Sequence, residues 1–239
     1  MSPYTDLPTF DLSILRPGSM VAPEMKGSAV TGPRDGNGQS VAIEFSAGGS
    51  WAWAYENLVV QTQEQHQYVE WVTARMSGSF RFMNVPVMSE WLLPLPKVNG
   101  VQRLQYSGLF DPDGSMIDGA TGERASISAA FVDAAPLNAG RVRLLVRGAV
   151  EPIRHTLWFS VYHAQKGWRA YKAWDLSGGA NGIYDLAITP PLRQSVAAGE
   201  AVELVRPRMV ARFPVGFTAP RKVAGFWRST PTLQFEEAV

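Results

Sequence analysis

The chain has 239 residues, 46% of them hydrophobic, 11% aromatic and 18% charged, a composition that excludes disorder, collagen and coiled coil and supplies a sizeable core. It contains no cysteine, which removes disulfides, thiolate metal sites and thiol nucleophiles. The formal net charge of +1 conceals an asymmetry: residues 1–140 carry 8 Lys/Arg against 14 Asp/Glu, and residues 141–239 carry 14 against 7. Such halves either steer copies into head-to-tail contact or are mixed in space by a single fold.

Residues 1–40 hold Pro3, Pro8, Pro17, Pro23 and Pro33 and a glycine-rich stretch, with neither helical nor strand period. Their aliphatics, Leu12, Ile14, Leu15, Met20 and Val21, are too many for a solvated linker, so the expectation is an extended arm ordered against a neighbouring subunit. No basic start followed by an apolar stretch marks a secretory leader, and the chain is expected to be made in a cytoplasm. No run approaches the roughly 20 apolar residues of a membrane span.

Val41, Ile43 and Phe45 alternate in a strand over 39–46, and Trp51, Trp53 and Tyr55 share a face of a second, so the pair predicts a hairpin around Gly48-Gly49-Ser50. Thr62 and Gln65 have capping-box spacing, and Tyr68, Val69, Val72 and Met76 form one stripe, predicting a helix over 62–77. Phe80 and Phe82 predict another strand, closed by Pro86. Beyond about residue 100 the pattern is almost wholly β: Val142, Leu144 and Val146 alternate with Arg141, Arg143 and Arg147, and further strands recur near 157–163, 168–176, 183–188, 201–204, 209–213 and 232–235. Short strands about ten residues apart predict a sandwich or a partly open barrel. The fold class is therefore mainly β, with one helix.

Chemistry is sparse. Gly36-Asn37-Gly38 and Gly178-Gly179 are turn glycines that open no helix, so no phosphate loop forms from them. Asp111-Pro112-Asp113-Gly114-Ser115 begins like a calcium loop, but Gly122 stands where the bidentate Glu belongs, and a polar turn fits better. His66, His155 and His163 lack zinc-pair spacing. Arg206, Arg208, Arg212, Arg221, Lys222 and Arg228 are scattered through strands and turns, with no element to read a groove. Cofactor, metal, catalytic residue and sequence-specific nucleic acid are all expected to be absent. Alternating Trp51 and Trp53 fit a β core, while Trp168, Tyr171 and Trp174, in a strand with Arg169 and Lys172, are candidates for an interface or for stacking a sugar ring.

Three pieces together resemble bacteriophage minor tail proteins related to the distal tail protein of long-tailed phages. They are the run WAWAYENLVVQTQEQHQYVEWVTARMSGSFRFMNV from Trp51 to Val85, LAITPPLRQSVAAGEAVEL from Leu186 to Leu204, and TPTLQFEEAV from Thr230 to Val239. Trp51, Trp53, Pro190, Pro191, Leu192 and Arg193 carry the likeness. The resemblance implies a ring-forming belt domain from 41–97 and about 183–239, with an inserted β domain at 98–182. It further implies a virion protein in a ring of six copies, touching the tail tube protein, the hub protein and other tail-tip or fibre proteins. A carbohydrate-binding β-sandwich that meets a host surface glycan is the alternative, and a cell-wall glycosidase with an unrecognised carboxylate pair is a third.

Overall fold

The structure is a computed structural model and describes residues 3–27, 29–34, 40–44, 48–87, 97–98, 101–102, 127–149, 153–219, 223–224 and 228–238. The first strands are β1 (Ser19–Lys26), β2 (Ala29–Arg34), β3 (Ser40–Glu44) and β4 (Ser50–Glu56), followed by helix α1 (Gln63–Met76) and β5 (Met83–Pro86). The short β6 (Lys97–Val98) and β7 (Val101–Gln102) pair with each other. Then come β8 (Ser128–Phe131), β9 (Arg141–Arg147), β10 (Leu157–His163), β11 (Gly167–Gly178), β12 (Ile183–Thr189) and β13 (Ala201–Val202). The last strands are β14 (Arg208–Arg212), β15 (Val223–Ala224), β16 (Arg228–Ser229) and β17 (Leu233–Glu237). The fold is mainly β, as the alternation predicts. Residues 1–86 with 209–239 form one compact unit, and residues 87–208 form another.

The first unit is built on a five-stranded sheet in the order β1-β4-β17-β14-β5. Trp51, Trp53 and Tyr55 of β4 are all buried, and β17 lies against β4 with Phe235 opposite Trp53. Phe10, Trp53, Tyr55, Phe213 and Phe235 form a cluster around Phe235 with ring centroids 5.4–6.0 Å apart. Rings this large bury enough apolar area to dominate a small core. Helix α1 begins where its capping box predicts: the Thr62 hydroxyl accepts from the Gln65 N–H, and the Gln65 side chain accepts from the Thr62 N–H. Val69, Val72 and Met76 are its buried stripe.

Residues 1–40 differ from the expected arm. Strand β1 pairs with β4 of its own chain from Ser19–Glu56 to Lys26–Ser50, and a bulge between Val21 and Glu24 absorbs Pro23, which has no N–H for the ladder. Upstream, the Asn84 N–H donates to the Pro8 carbonyl (2.9 Å) and the Phe10 N–H to the Asn84 carbonyl (2.8 Å). Phe10 and Leu15 are fully buried, Leu12, Ile14 and Met20 are half-buried, and Val21 is exposed. Two bonds tie the segment to α1: the Asp11 N–H donates to Tyr68 Oη (2.7 Å), and Gln65 Nε2 donates to the Ile14 carbonyl (3.1 Å). Burial raises the Tyr68 pKa, and the bond from Asp11 partly opposes that rise. The predicted 39–60 hairpin also re-pairs, since β3 joins β2 and β4 joins β1. The Phe80–Phe82 strand starts only at Met83, because residues 77–79 continue α1 as a 3₁₀ turn.

The second unit holds a six-stranded antiparallel sheet, β10-β11-β12-β9-β8-β13. Its two ends meet where the Ser160 and Glu203 backbones exchange two hydrogen bonds of 2.9 Å, so the sheet is nearly a closed barrel. Val142, Leu144 and Val146 face the interior with Phe131, Phe159, Leu186 and Ile188, while Arg141, Arg143 and Arg147 face out, as the alternation predicts. Gly178 and Gly179, at φ of 93° and 97°, turn β11 into β12. The expected domain boundary near 183 moves to 209, because β12 is held between β11 and β9. Where the unit begins and ends, the Val87 N–H donates to the Pro207 carbonyl at 2.6 Å.

The charge asymmetry along the chain is mixed in space. Residues 1–86 and 209–239 carry 9 Lys/Arg and 10 Asp/Glu, and residues 87–208 carry 13 and 11, so neither unit is strongly charged. Residues 111–115 lie outside the described residues, as do Arg221 and Lys222.

Candidate functional site

Trp168, Tyr171 and Trp174 all lie on β11, and the structure does not bring them to one surface. Alternation along the strand sends Tyr171 and Ala173 into the barrel core and Trp168 and Lys172 to the other face. Tyr171 is 0% exposed, so it cannot stack a ligand. Its hydroxyl lies 2.7 Å from His163 Nε2 and accepts from the Arg193 N–H at 3.0 Å. Trp168 is half-buried beneath the Arg208 guanidinium, 4.2 Å above its ring, with Tyr162 edge-on at 5.5 Å. Burial lowers the Arg208 pKa, and the Glu203 carboxylate at 3.7 Å opposes that shift. Trp174, at the β11 bulge, is 62% exposed.

His163 closes β10 at the inner face of the barrel. It is buried, its Nδ1 has no hydrogen-bond partner, and its pKa falls to about 4, first through burial and then through the nearby Arg169 charge. The imidazole is therefore neutral at pH 7 and acts as a core polar group bound to Tyr171. His66 lies half-buried on α1, and His155 precedes β10. Among the described residues, no three His, Asp or Glu side chains gather closely enough to hold a metal.

The family-like residues are scaffold. Trp51 and Trp53 sit in the core of the first unit. Pro190, which follows a cis peptide after Thr189, and Leu192 and Arg193 are buried in the second unit, with Pro191 half-buried. Leu192 joins the barrel core, and its N–H donates to the Ala139 carbonyl (3.0 Å), tying the motif to the β8–β9 connection.

An apolar opening that the sequence does not announce lies in the first unit. In the first unit, a groove of about 560 Å³ runs between the end of α1 and the 213–219 turn, lined by Val69, Thr73, Phe213, Phe217 and Pro231. Phe80 and Val215 line it as well, 83% and 82% exposed. Apolar side chains held that far into water beside a concavity mark a contact surface. The signal available was Pro214-Val215-Gly216, a large aliphatic placed at a turn. Set against known proteins, the sequence matches no family model and no curated protein.

Proposed function

We propose that the protein is a structural subunit of a bacteriophage tail tip, a distal-tail-like ring component that joins the tail tube to the hub and the host-attachment apparatus. The observation that carries this reading is the meeting of two family-like pieces far apart in sequence: Trp51–Tyr55 and Leu233–Glu237 are neighbouring strands, with Trp53 opposite Phe235. Between them in sequence residues 87–208 form a second compact unit, longer than the 98–182 insertion that the resemblance implies. The groove beside Phe80 and Val215 supports the reading further, since permanent interfaces need apolar surface at their centre. The partners are five further copies of the chain, the tail tube protein and the hub protein, and the working location is the virion.

Mass photometry of the purified protein, alone and with tail tube ends, tests the proposal together with a reconstruction of the tail tip. A ring of about six copies, present in the tip density, is expected from heterologous packing that closes. Monomers under both conditions, together with tip density that does not accommodate the chain, overturn it. A tape-measure gene upstream of the coding sequence is the cheapest supporting observation.

A further inference from the structure

The outer face of the second unit carries an array that the tail-ring reading does not use. Strands β9, β12 and β11 run side by side, and outward they turn Arg141, Arg143, Asp185 and Asp175, with the half-buried Leu145 and Ile183 paired at one end. The Arg143 guanidinium is clamped between two carboxylates, with Nη1 2.9 Å from Asp133 and Nε 3.2 Å from Asp185. Arg141 stands 3.9 Å from Asp175. A shallow groove of about 390 Å³ follows this face, lined by Asp133, Arg141, Arg143, Ser177 and Asp185. Beside Asp175, the bulge that sets Ala173 against Ile188 and Asp175 against Ala187 leaves Trp174 as the extra residue, with most of its ring in water.

These groups do little for stability. Pairs between side chains about half or more exposed contribute roughly 0–1 kcal/mol each, and an exposed tryptophan loses apolar area to water. They are, however, the parts of a carbohydrate site. A carboxylate accepts, a guanidinium donates, and a sugar hydroxyl does both, so alternating Asp and Arg held in fixed geometry match a row of hydroxyls. An indole face packs on the C–H face of a pyranose ring. Charge complementarity selects the class of sugar. Arg143 is flanked by two carboxylates, so a polyanion meets Asp133 and Asp185 on either side of each approach to it, while a neutral glycan satisfies both signs. A protein interface of ordinary size needs a contiguous apolar centre, and on this face the Asp185–Arg143 pair separates Leu145 and Ile183 from Ala187. The groove volume falls in the range of about 300–1,000 Å³ usual for small-molecule sites.

We infer that the β9–β12–β11 face binds an uncharged oligosaccharide, with Trp174 as the stacking platform and Asp133, Arg143 and Asp185 as the hydroxyl-binding row. The inference rests on this face alone and stands or falls apart from ring formation. Isothermal titration and tryptophan fluorescence of the full chain test it, with maltohexaose, cellohexaose and chitotetraose as neutral probes and tetragalacturonate as the charged probe. At least one neutral probe is expected to bind with Kd at or below about 1 mM and to quench fluorescence. Trp174→Ala is expected to weaken that binding about tenfold or more, Trp174→Phe to restore part of it, and Asp185→Asn to weaken it about fivefold, with circular dichroism and Tm unchanged because the side chains are exposed. Absence of neutral-sugar binding up to about 10 mM, binding that survives Trp174→Ala undiminished, or tighter binding of tetragalacturonate than of every neutral probe overturns it.

Discussion

In the second unit the sheet curls until β10 meets β13 through the Ser160–Glu203 bonds, whereas the sheet of the first unit stays open, with β1 and β5 at its margins. Both solve the same hazard, since unpaired strand edges invite aggregation. The barrel removes its edges by closure. The open sheet protects them locally: residues 8–10 bond along β5, and β1 is interrupted by a bulge and carries Glu24 and Lys26. Their surfaces differ as well. The open unit exposes Phe80 and Val215 around a groove, and the barrel presents paired aspartates and arginines. Apolar projections beside a groove suit binding to other proteins, and a face of paired aspartates and arginines suits contact with water and sugars.

The sharpest way to break this contrast is at the N-terminus. Deleting Met1–Gly38 removes β1 together with buried Phe10 and Leu15, and losing large buried side chains costs about 3–5 kcal/mol for the Phe and 2–5 for the Leu. That sum reaches the whole stability of a typical domain, so the truncated chain is expected to be insoluble or to lack the helical signal of α1 in circular dichroism. Soluble protein with native near-ultraviolet dichroism contradicts it.

The barrel side is probed next by pH. His163 protonates near 6.5 when unfolded but near 4 in the native barrel, so the unfolded state holds more protons between those values. Its contribution is complete above about pH 6.5 and is lost as pH falls toward about 4, at about 1.4 kcal/mol per unit. Urea titrations at pH 7, 6 and 5 should show this decline, and His163→Gln should flatten it. Equal slopes in both proteins refute the assignment.

A smaller effect follows from removing the hydroxyl that His163 and Arg193 share. Tyr171→Phe leaves two buried polar groups without that partner and is expected to cost about 1–3 kcal/mol, read as a lower urea midpoint. The smallest change in stability is expected for Phe80→Ser with Val215→Ser, within about 0.5 kcal/mol, because both side chains already face water. If the groove is the contact surface, the same pair weakens ring assembly by about tenfold or more. Unaltered assembly places the interface elsewhere.

What the sequence discloses is what local chemistry decides. Thr62 and Gln65 announce the helix start because a capping box is complete within four residues. Arg141–Arg147 announce a half-buried strand because one face is uniformly apolar. Pro23 argues against a strand and so toward an arm, whereas the bulge that accommodates it depends on β4, some thirty residues onward. The inward turn of Tyr171 is hidden for a different reason: Arg169 and Tyr171 share one parity of β11, Trp168 and Lys172 the other, and neither parity is cleanly apolar. Only the tertiary fold, which buries Arg169 and bonds its Nε to the Lys166 carbonyl, decides which side turns inward. Of the proposed sugar-binding face, Trp174 alone is legible as a candidate, since the row that accompanies it is assembled from β9, β12 and the β8–β9 connection.

The single bond from Val87 to Pro207 has a consequence for the history of such a chain. It fixes the points of departure and return within one hydrogen bond of each other, so everything between them is a cassette on a pinched stem. Chain ends that lie this close allow whole modules to be inserted or exchanged with little effect on the host fold. Recombination that swaps residues 87–208 for another compact module of closely spaced ends would leave the path of β5 and β14 unaltered. Surface recognition could then change wholesale while the host unit keeps the same strands, helix and aromatic core.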